Sequence, residues 1–235
     1  MKTTAIVAAY NEEGTIADVL RALTASPLID EIIVVSDGSE DATVEIARTF
    51  DGVRTVALHE NHGKGFAMAV GVATATNDTF FFCDGDMYNV TEDHIRALVS
   101  PVLSGDCDMN IGVRNRGDVA NFLHLRMKCG PILSGIRVMR RKVFETVPPQ
   151  YQSHFKIEAA LNYFCARAGF RQQETVIYSL GHVIKESKRG LADGLQARWK
   201  MSREVFLLLF DLYVFGTWRW TEPGKLPVAE YDLFE

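Results

Sequence analysis

Cysteine is scarce in this chain: Cys83, Cys107, Cys129 and Cys165 are the only four, and no two are spaced as C-x-x-C. That spacing excludes a zinc ribbon or a disulfide framework and predicts reduced thiols in a cytosolic setting. Basic residues are not in excess either, since 25 lysines and arginines face 30 acidic residues and leave a net charge of −5. A nucleic-acid partner held by general electropositivity is therefore not expected. The opening MKTTAIVAAYNEEG has one lysine and an apolar run that breaks at Asn11, so it does not read as a secretory leader. The N-x-T sequons at Asn77 and Asn89 carry no weight in a cytosolic chain. No apolar run reaches the length of a membrane span, because REVFLLLFDLYVF (203–215) is short and interrupted by Asp211. No G-x-G-x-x-G follows the first predicted strand, which argues against a dinucleotide fold. No linker, repeat or low-complexity tract divides the chain, so one domain over 1–200 with a C-terminal apolar helix and tail over 201–235 is expected.

What is present is an alternation. Apolar runs at 4–10, 31–39, 53–59 and 80–83 read as strands, and the segments between them carry helical patterns. In the first, Ile16, Val19, Leu20 and Leu23 recur at i, i+3, i+4, i+7, with Thr15 as the expected N-cap. Helices are expected next over 43–50 and 66–76. This β-α order, with strands apolar on both faces, implies an α/β fold built on a parallel sheet flanked by helices. Further on, the pattern predicts a helix over 92–103, a strand over 109–115, and a strand with a short helix over 135–147. A helix over 154–169 closed by Gly169 and a strand over 172–184 complete it. Each polar cluster of the first half, YNEE, SDGSED, NHGKG and DGD, follows a strand, where open α/β sheets bind their ligands.

The run FFFCDGD poses a chemical question, because a buried strand ends in Asp84 and Asp86 with only Gly85 between. Paired carboxylates beside a glycine turn suit a hard divalent cation such as Mg²⁺ or Mn²⁺, with substrate phosphates completing the shell. The NHGKG loop lacks the G-K-[ST] ending of a P-loop, but its amides and Lys64 suit a phosphate or sugar. The alternatives for these two stretches are a solvated acidic turn and a solvated lysine.

Taken together, AAYNEEGTI (8–16), VSDGSEDAT (35–43), NHGKGFAMAVGVATA (61–75), FFFCDGDM (80–87), SGIRVMRRKVFE (134–145) and HFKIEAAL (154–161) resemble the family 2 glycosyltransferases of GT-A fold. Polyprenyl- and dolichyl-phosphate sugar transferases and the glucosyl-3-phosphoglycerate and mannosylglycerate synthases are close in pattern. The resemblance implies a single, mostly parallel central sheet flanked by helices and a nucleoside diphosphate sugar as donor, with UDP ahead of GDP. It places Ala9, Tyr10, Asn11 and Glu12 along the nucleoside, where proline often stands in place of Ala8 or Ala9. Asp37, Gly38 and Ser39 would receive the base, while Gly63 and Lys64 approach the donor. Asp84, Gly85 and Asp86 would form the D-x-D metal motif, Asp86 being the more direct ligand and part of the catalytic set, with His182 from a late strand completing the site.

On the acceptor side, Glu158 stands where the family carries an acidic residue able to deprotonate a hydroxyl. Its bland alternatives are a helix-surface glutamate or one tied to an arginine. Arg114 and Arg116 would orient an acceptor phosphate, which needs no base. Lys185, Lys188, Arg189 and Arg198 form either a solvated basic face or a clamp on phosphate. The acceptor is a polyprenyl phosphate on one reading and a small soluble hydroxyl compound on the other. The 203–215 segment with TWRW behind it is open to packing, to a homodimer contact, or to the inner face of a membrane. A nucleotidyltransferase and a non-catalytic nucleotide-sugar binding module are the competing functions. YNEEG after the first strand disfavours the former, and the intact D-x-D with Lys64 disfavours the latter.

Overall fold

The computed structural model describes residues 2–115, 134–152, 156–182 and 231–234. The first half follows the expected alternation: β1 (Thr3–Ala9), α1 (Ile16–Thr24), β2 (Glu31–Asp37), α2 (Thr43–Ala47), β3 (Val53–Leu58), α3 (Lys64–Thr74) and β4 (Thr79–Asp84). Then come β5 (Met87–Tyr88), α4 (Glu92–Leu103), β6 (Met109–Arg114), β7 (Arg137–Arg140), α5 (Arg141–Phe144) and a 3-10 turn (Pro149–Tyr151). The remainder is α6 (Lys156–Arg167), β8 (Gln172–Ile177), β9 (Gly181–His182) and β10 (Tyr231–Phe234).

Eight strands form one sheet in the order β10-β3-β2-β1-β4-β7-β6-β8, and β5 pairs with β9 apart from it. Strands β3, β2, β1 and β4 are mutually parallel. The order runs outward from β1 to β3 and then returns to the other side of β1, so the switch point lies between β1 and β4. Ligands of open α/β sheets bind at such a crevice, beyond the carboxyl ends of the strands.

The apolar runs are continuous because these strands are covered on both faces. Phe80 and Phe82 lie in the core shared with α3 and α6, whereas Phe81 points into the core shared with α1 and α4. All three rings are essentially inaccessible, and each such burial contributes about 1.5–3 kcal/mol. Helix α1 seats Ile16, Val19, Leu20 and Leu23, the stripe read from its periodicity, against the second of these cores.

The expected single, mostly parallel sheet is present, with β7 antiparallel to both β4 and β6 and β10 antiparallel to β3. The structure departs from the sequence reading in three places. Helix α2 stops at Ala47, five residues long, and the chain then turns through Gly52. The strand expected over 172–184 is two strands, because β8 loses its neighbour where β6 ends, at the Arg114–Ile177 pair. The chain turns there, through Ser179 at φ 61°, and pairs β9 with β5 instead. The tail returns Tyr231–Phe234 to the sheet edge, with the Arg48 guanidinium 4.0 Å from the centre of the Phe234 ring.

Candidate active site

Four loops meet at the carboxyl ends of β1–β4. The loop after β1 is interlocked with the loop after β2: Asn11 N donates to Ser39 Oγ at 3.1 Å and Asn11 Oδ1 accepts from Glu40 N at 2.9 Å. Next to these, Glu12 N donates to Thr43 Oγ1 at 2.8 Å, and Glu13 Oε2 accepts from Ala42 N at 3.1 Å. Ser36 Oγ donates to Ser39 Oγ at 2.8 Å. Asp41 takes hydrogen bonds from the Thr43 hydroxyl and from the Glu13 and Thr43 amides. Partial burial raises its carboxyl pKa, but these bonds outweigh it and hold the group below the ordinary aspartate value.

The loop after β3 hangs on Asp37. This buried carboxylate accepts from His62 N and Gly63 N, both at 2.8 Å, while Asn61 Nδ2 donates to its carbonyl at 3.0 Å. Gly38 has φ +71°, and a Cβ there would lie 2.7 Å from Asn61 N, so the β2 and β3 loops approach as closely as a glycine allows. Expected to receive a base, Asp37 is also the post that aims the NHGKG loop. Ala9 is buried, and Tyr10 is half-buried at the end of β1.

The acidic turn after β4 carries an ion network. Lys64 Nζ sits 2.7 Å from Asp84 Oδ1 and 2.7 Å from Glu158 Oε1 on α6. Burial lowers the lysine pKa, but the charges of Asp84 and Glu158 outweigh it and hold the ammonium protonated. Arg137, wholly buried, donates from Nε and Nη2 to Ser134 O at 3.1 and 2.6 Å and from Nη1 to Asn162 Oδ1 at 3.2 Å. Its guanidinium feels both Glu158 and Asp84. Two cations thus face two carboxylates, the composition that makes buried charge tolerable.

Glu158 is 6% exposed, which rules out the helix-surface reading, and its carboxylate is tied to Lys64. Thr15, expected to cap α1, makes no side-chain cap. Its hydroxyl instead donates to Gly85 O at 2.7 Å and so fastens the D-G-D turn to the start of α1. Asp86 is half-buried one residue before β5, and the β5–β9 register sets His182 opposite Met87. Three residues of the network were not singled out in the sequence: Thr15 as a tether, Arg137, and Gly135. A Cβ on Gly135 would land on Lys64 Nζ and Asp84 Oδ2. A glycine and an arginine flanking a strand start in SGIRV are the available signal, and it is weak.

Arg114 closes β6. Arg116, Lys185, Lys188, Arg189, Arg198, Cys129 and the 203–220 segment lie outside the described residues. Among the described residues no helix is long and apolar enough to cross a membrane. Cys83, Cys107 and Cys165 are free and buried; burial raises the pKa of all three, that of Cys165 to about 11, which keeps them as unreactive thiols.

A four-stranded parallel half-sheet that meets an antiparallel strand beside an acidic turn defines the class, the GT-A fold of nucleotide-sugar enzymes. A sequence profile for glycosyl transferase family 2 matches residues 4–173, and the chain belongs to that family. Dodecaprenyl-phosphate galacturonate synthase from Rhizobium johnstonii is 33% identical over 140 residues, 55% of this chain and 41% of that protein. Dolichyl-phosphate beta-glucosyltransferase from Drosophila melanogaster is 35% identical over 101 residues, 37% of this chain and 31% of that protein. The matched stretch thus spans less than half the length of either curated relative. Among solved structures, glucosyl-3-phosphoglycerate synthase from Mycobacterium tuberculosis, in complex with Mn²⁺, uridine diphosphate and glucosyl-3-phosphoglycerate, superposes with a TM-score of 0.72 at 25% identity. That superposition covers 89% of this chain and 79% of the synthase.

Proposed function

We propose that the protein transfers a sugar from a nucleoside diphosphate sugar, with UDP as the nucleotide, to the phosphate of a polyprenyl phosphate. The observation that carries the donor half is the placement of Asp84 and Asp86 at the β1–β4 switch point, with Lys64 seated on Asp84. The D-G-D turn offers the carboxylate oxygens that a hard divalent cation takes, although Asp84 is engaged by Lys64 at 2.7 Å and among the described residues no three histidine, cysteine, aspartate or glutamate side chains are gathered as a ready-made site. Asp86, Asp84 and His182 would hold Mg²⁺ or Mn²⁺, which supplies charge to offset the departing diphosphate. The uridine-diphosphate complexes of the mycobacterial synthase with Mn²⁺ and Mg²⁺ support this reading.

The chain's own residues have separate tasks. The Asn11, Glu12, Ser39 and Thr43 mesh holds the nucleoside side rigid, and Asp37 holds the β3 loop in place by accepting from the amides of His62 and Gly63. Lys64 adds positive charge next to the acidic turn. The acceptor oxygen forms the bond to the anomeric carbon as the bond from that carbon to the diphosphate oxygen breaks, and the electron pair leaves with the nucleoside diphosphate.

Glu158 bears on the choice of acceptor. With its carboxylate bound to Lys64 at 2.7 Å, it serves as a positioning residue for that lysine rather than as a general base. An acceptor phosphate is already ionised and needs none, which favours the polyprenyl phosphate. The dodecaprenyl-phosphate galacturonate synthase and the dolichyl-phosphate beta-glucosyltransferase among the relatives support that choice. The soluble reading, a phosphoglycerate-like acceptor, has the superposition on the mycobacterial synthase in its favour.

The test is a thermal-shift panel of UDP-, GDP- and dTDP-sugars with and without Mn²⁺, since a ligand of the native state raises the midpoint. The expected result is stabilisation by UDP-sugars that requires Mn²⁺; no response from any of them sinks the donor assignment. Label transfer from the stabilising sugar to undecaprenyl phosphate, set against transfer to 3-phosphoglycerate, then separates the acceptors.

A further inference from the structure

We infer that His94 is a positioning residue for the strand that carries His182, acting through the carbonyl of Tyr178. Its metal aspect rests on the donor-site reading above. Helix α4 opens with a capping box: Thr91 Oγ1 accepts from His94 N at 3.4 Å, and His94 Nδ1 accepts from Thr91 N at 3.3 Å. The other ring nitrogen, Nε2, lies 2.8 Å from Tyr178 O. A neutral imidazole with Nδ1 accepting carries its proton on Nε2, so a single tautomer satisfies both contacts.

Glutamate or glutamine is the usual residue at this capping position. Glutamate would serve Thr91 equally well but has no proton to give Tyr178. Histidine here is therefore explained by the second contact, not by the cap.

The contact falls where the chain needs it. β8 ends at Ile177, and Tyr178 is followed by Ser179 at φ 61°, a conformation that a non-glycine residue keeps only when its surroundings hold it. Leu180 enters the core, and Gly181–His182 then pairs with Tyr88 and Met87, the two residues after Asp86. Two residue pairs are too short a ladder to stand alone. The His94 bond fixes the turn that delivers β9, and with it the backbone of His182, to the end of the D-G-D motif.

Two substitutions separate the cap from the tether. His94→Glu keeps the capping box and loses the donor to Tyr178; His94→Gln keeps an acceptor for Thr91 and a donor for Tyr178. Amide hydrogen exchange of residues 179–182 and the Mn²⁺ needed for half-maximal thermal stabilisation in the presence of UDP are read on each. His94→Glu is expected to melt like the wild type without ligand and to exchange severalfold faster at 179–182. It should also need severalfold more Mn²⁺, less than the roughly ten- to hundredfold typical for losing a group bonded directly to a ligand. His94→Gln is expected to match the wild type in all three. Wild-type exchange in His94→Glu, or equal loosening in both variants, overturns the inference. Should UDP and Mn²⁺ leave even the wild type unmoved, the donor reading fails, while the exchange comparison still decides the tether.

Discussion

The two banks of the β1–β4 crevice are built on different principles. On the hydrogen-bonded bank, loops after β1, β2 and β3 hold one another through neutral or singly charged hydrogen bonds, Asn11 to Ser39, Glu12 to Thr43 and Asp37 to the amides of residues 62 and 63. On the charged bank, Lys64, Asp84, Glu158 and Arg137 share largely buried charge across β4, β7, α3 and α6. A hydrogen-bonded mesh loses one increment at a time, whereas a charge network loses its balance with any one member. The hydrogen-bonded bank should therefore tolerate single substitutions, and the charged bank should not.

The largest expected effect is functional. Asp86→Ala should abolish the Mn²⁺-dependent part of UDP stabilisation while leaving the ligand-free midpoint close to the wild type, as read by thermal shift. Retained metal dependence would move the cation away from the D-G-D turn.

Next comes Lys64→Met, which removes the cation in direct contact with Asp84 and Glu158 and leaves only Arg137 facing them. Its cost should be about 3–5 kcal/mol by urea unfolding, since removing one partner of a buried pair leaves the other uncompensated. Adding Glu158→Leu should recover part of that loss, and strictly additive losses would break the network picture. The pH sign follows from the lysine, whose folded pKa lies above its ordinary value of 10.5. Its contribution is full below that value and is lost only as pH climbs through the raised one, so it should stay flat over about pH 6 to 9.

Gly135→Ala probes the same bank with a methyl group in place of a charge. Forcing a Cβ against Lys64 and Asp84 should cost about 1–3 kcal/mol, the usual range for overpacking, measured by the same denaturation. Smallest of the four is Ser39→Ala on the opposite bank, at about 1 kcal/mol for the hydrogen bonds it removes. A Ser39→Ala cost as large as that of Lys64→Met would erase the distinction between the banks.

The hydrogen-bonded bank was the more legible in the sequence. Its strands are continuous apolar runs, its helix α1 repeats at i, i+3, i+4, i+7, and its polar loops follow each strand within a few residues. The charged bank was read less well because its partners are far apart in the chain. Lys64 and Glu158 are separated by 94 positions, and nothing local says that they touch. Arg137 sits in RVMRRK, where three arginines and a lysine look like one basic face, yet only the first of the arginines is wholly buried. Thr15 read as a helix cap because its neighbours permit one; the carbonyl of Gly85, 70 residues away, claimed its hydroxyl.

The sequence by itself determined the β-α alternation, the two-faced burial of FFFC and the collection of polar clusters at one end of the sheet, because each depends on side-chain period and turn chemistry within a short window. Tertiary structure alone decided the antiparallel insertion of β7, the return of Tyr231–Phe234 to the β3 edge, the binding of Glu158 to Lys64 and the hold of His94 on Tyr178. Those outcomes depend on which distant groups are left with an unpaired charge, donor or strand edge once the core has closed, and a buried group of that kind takes the partner within reach.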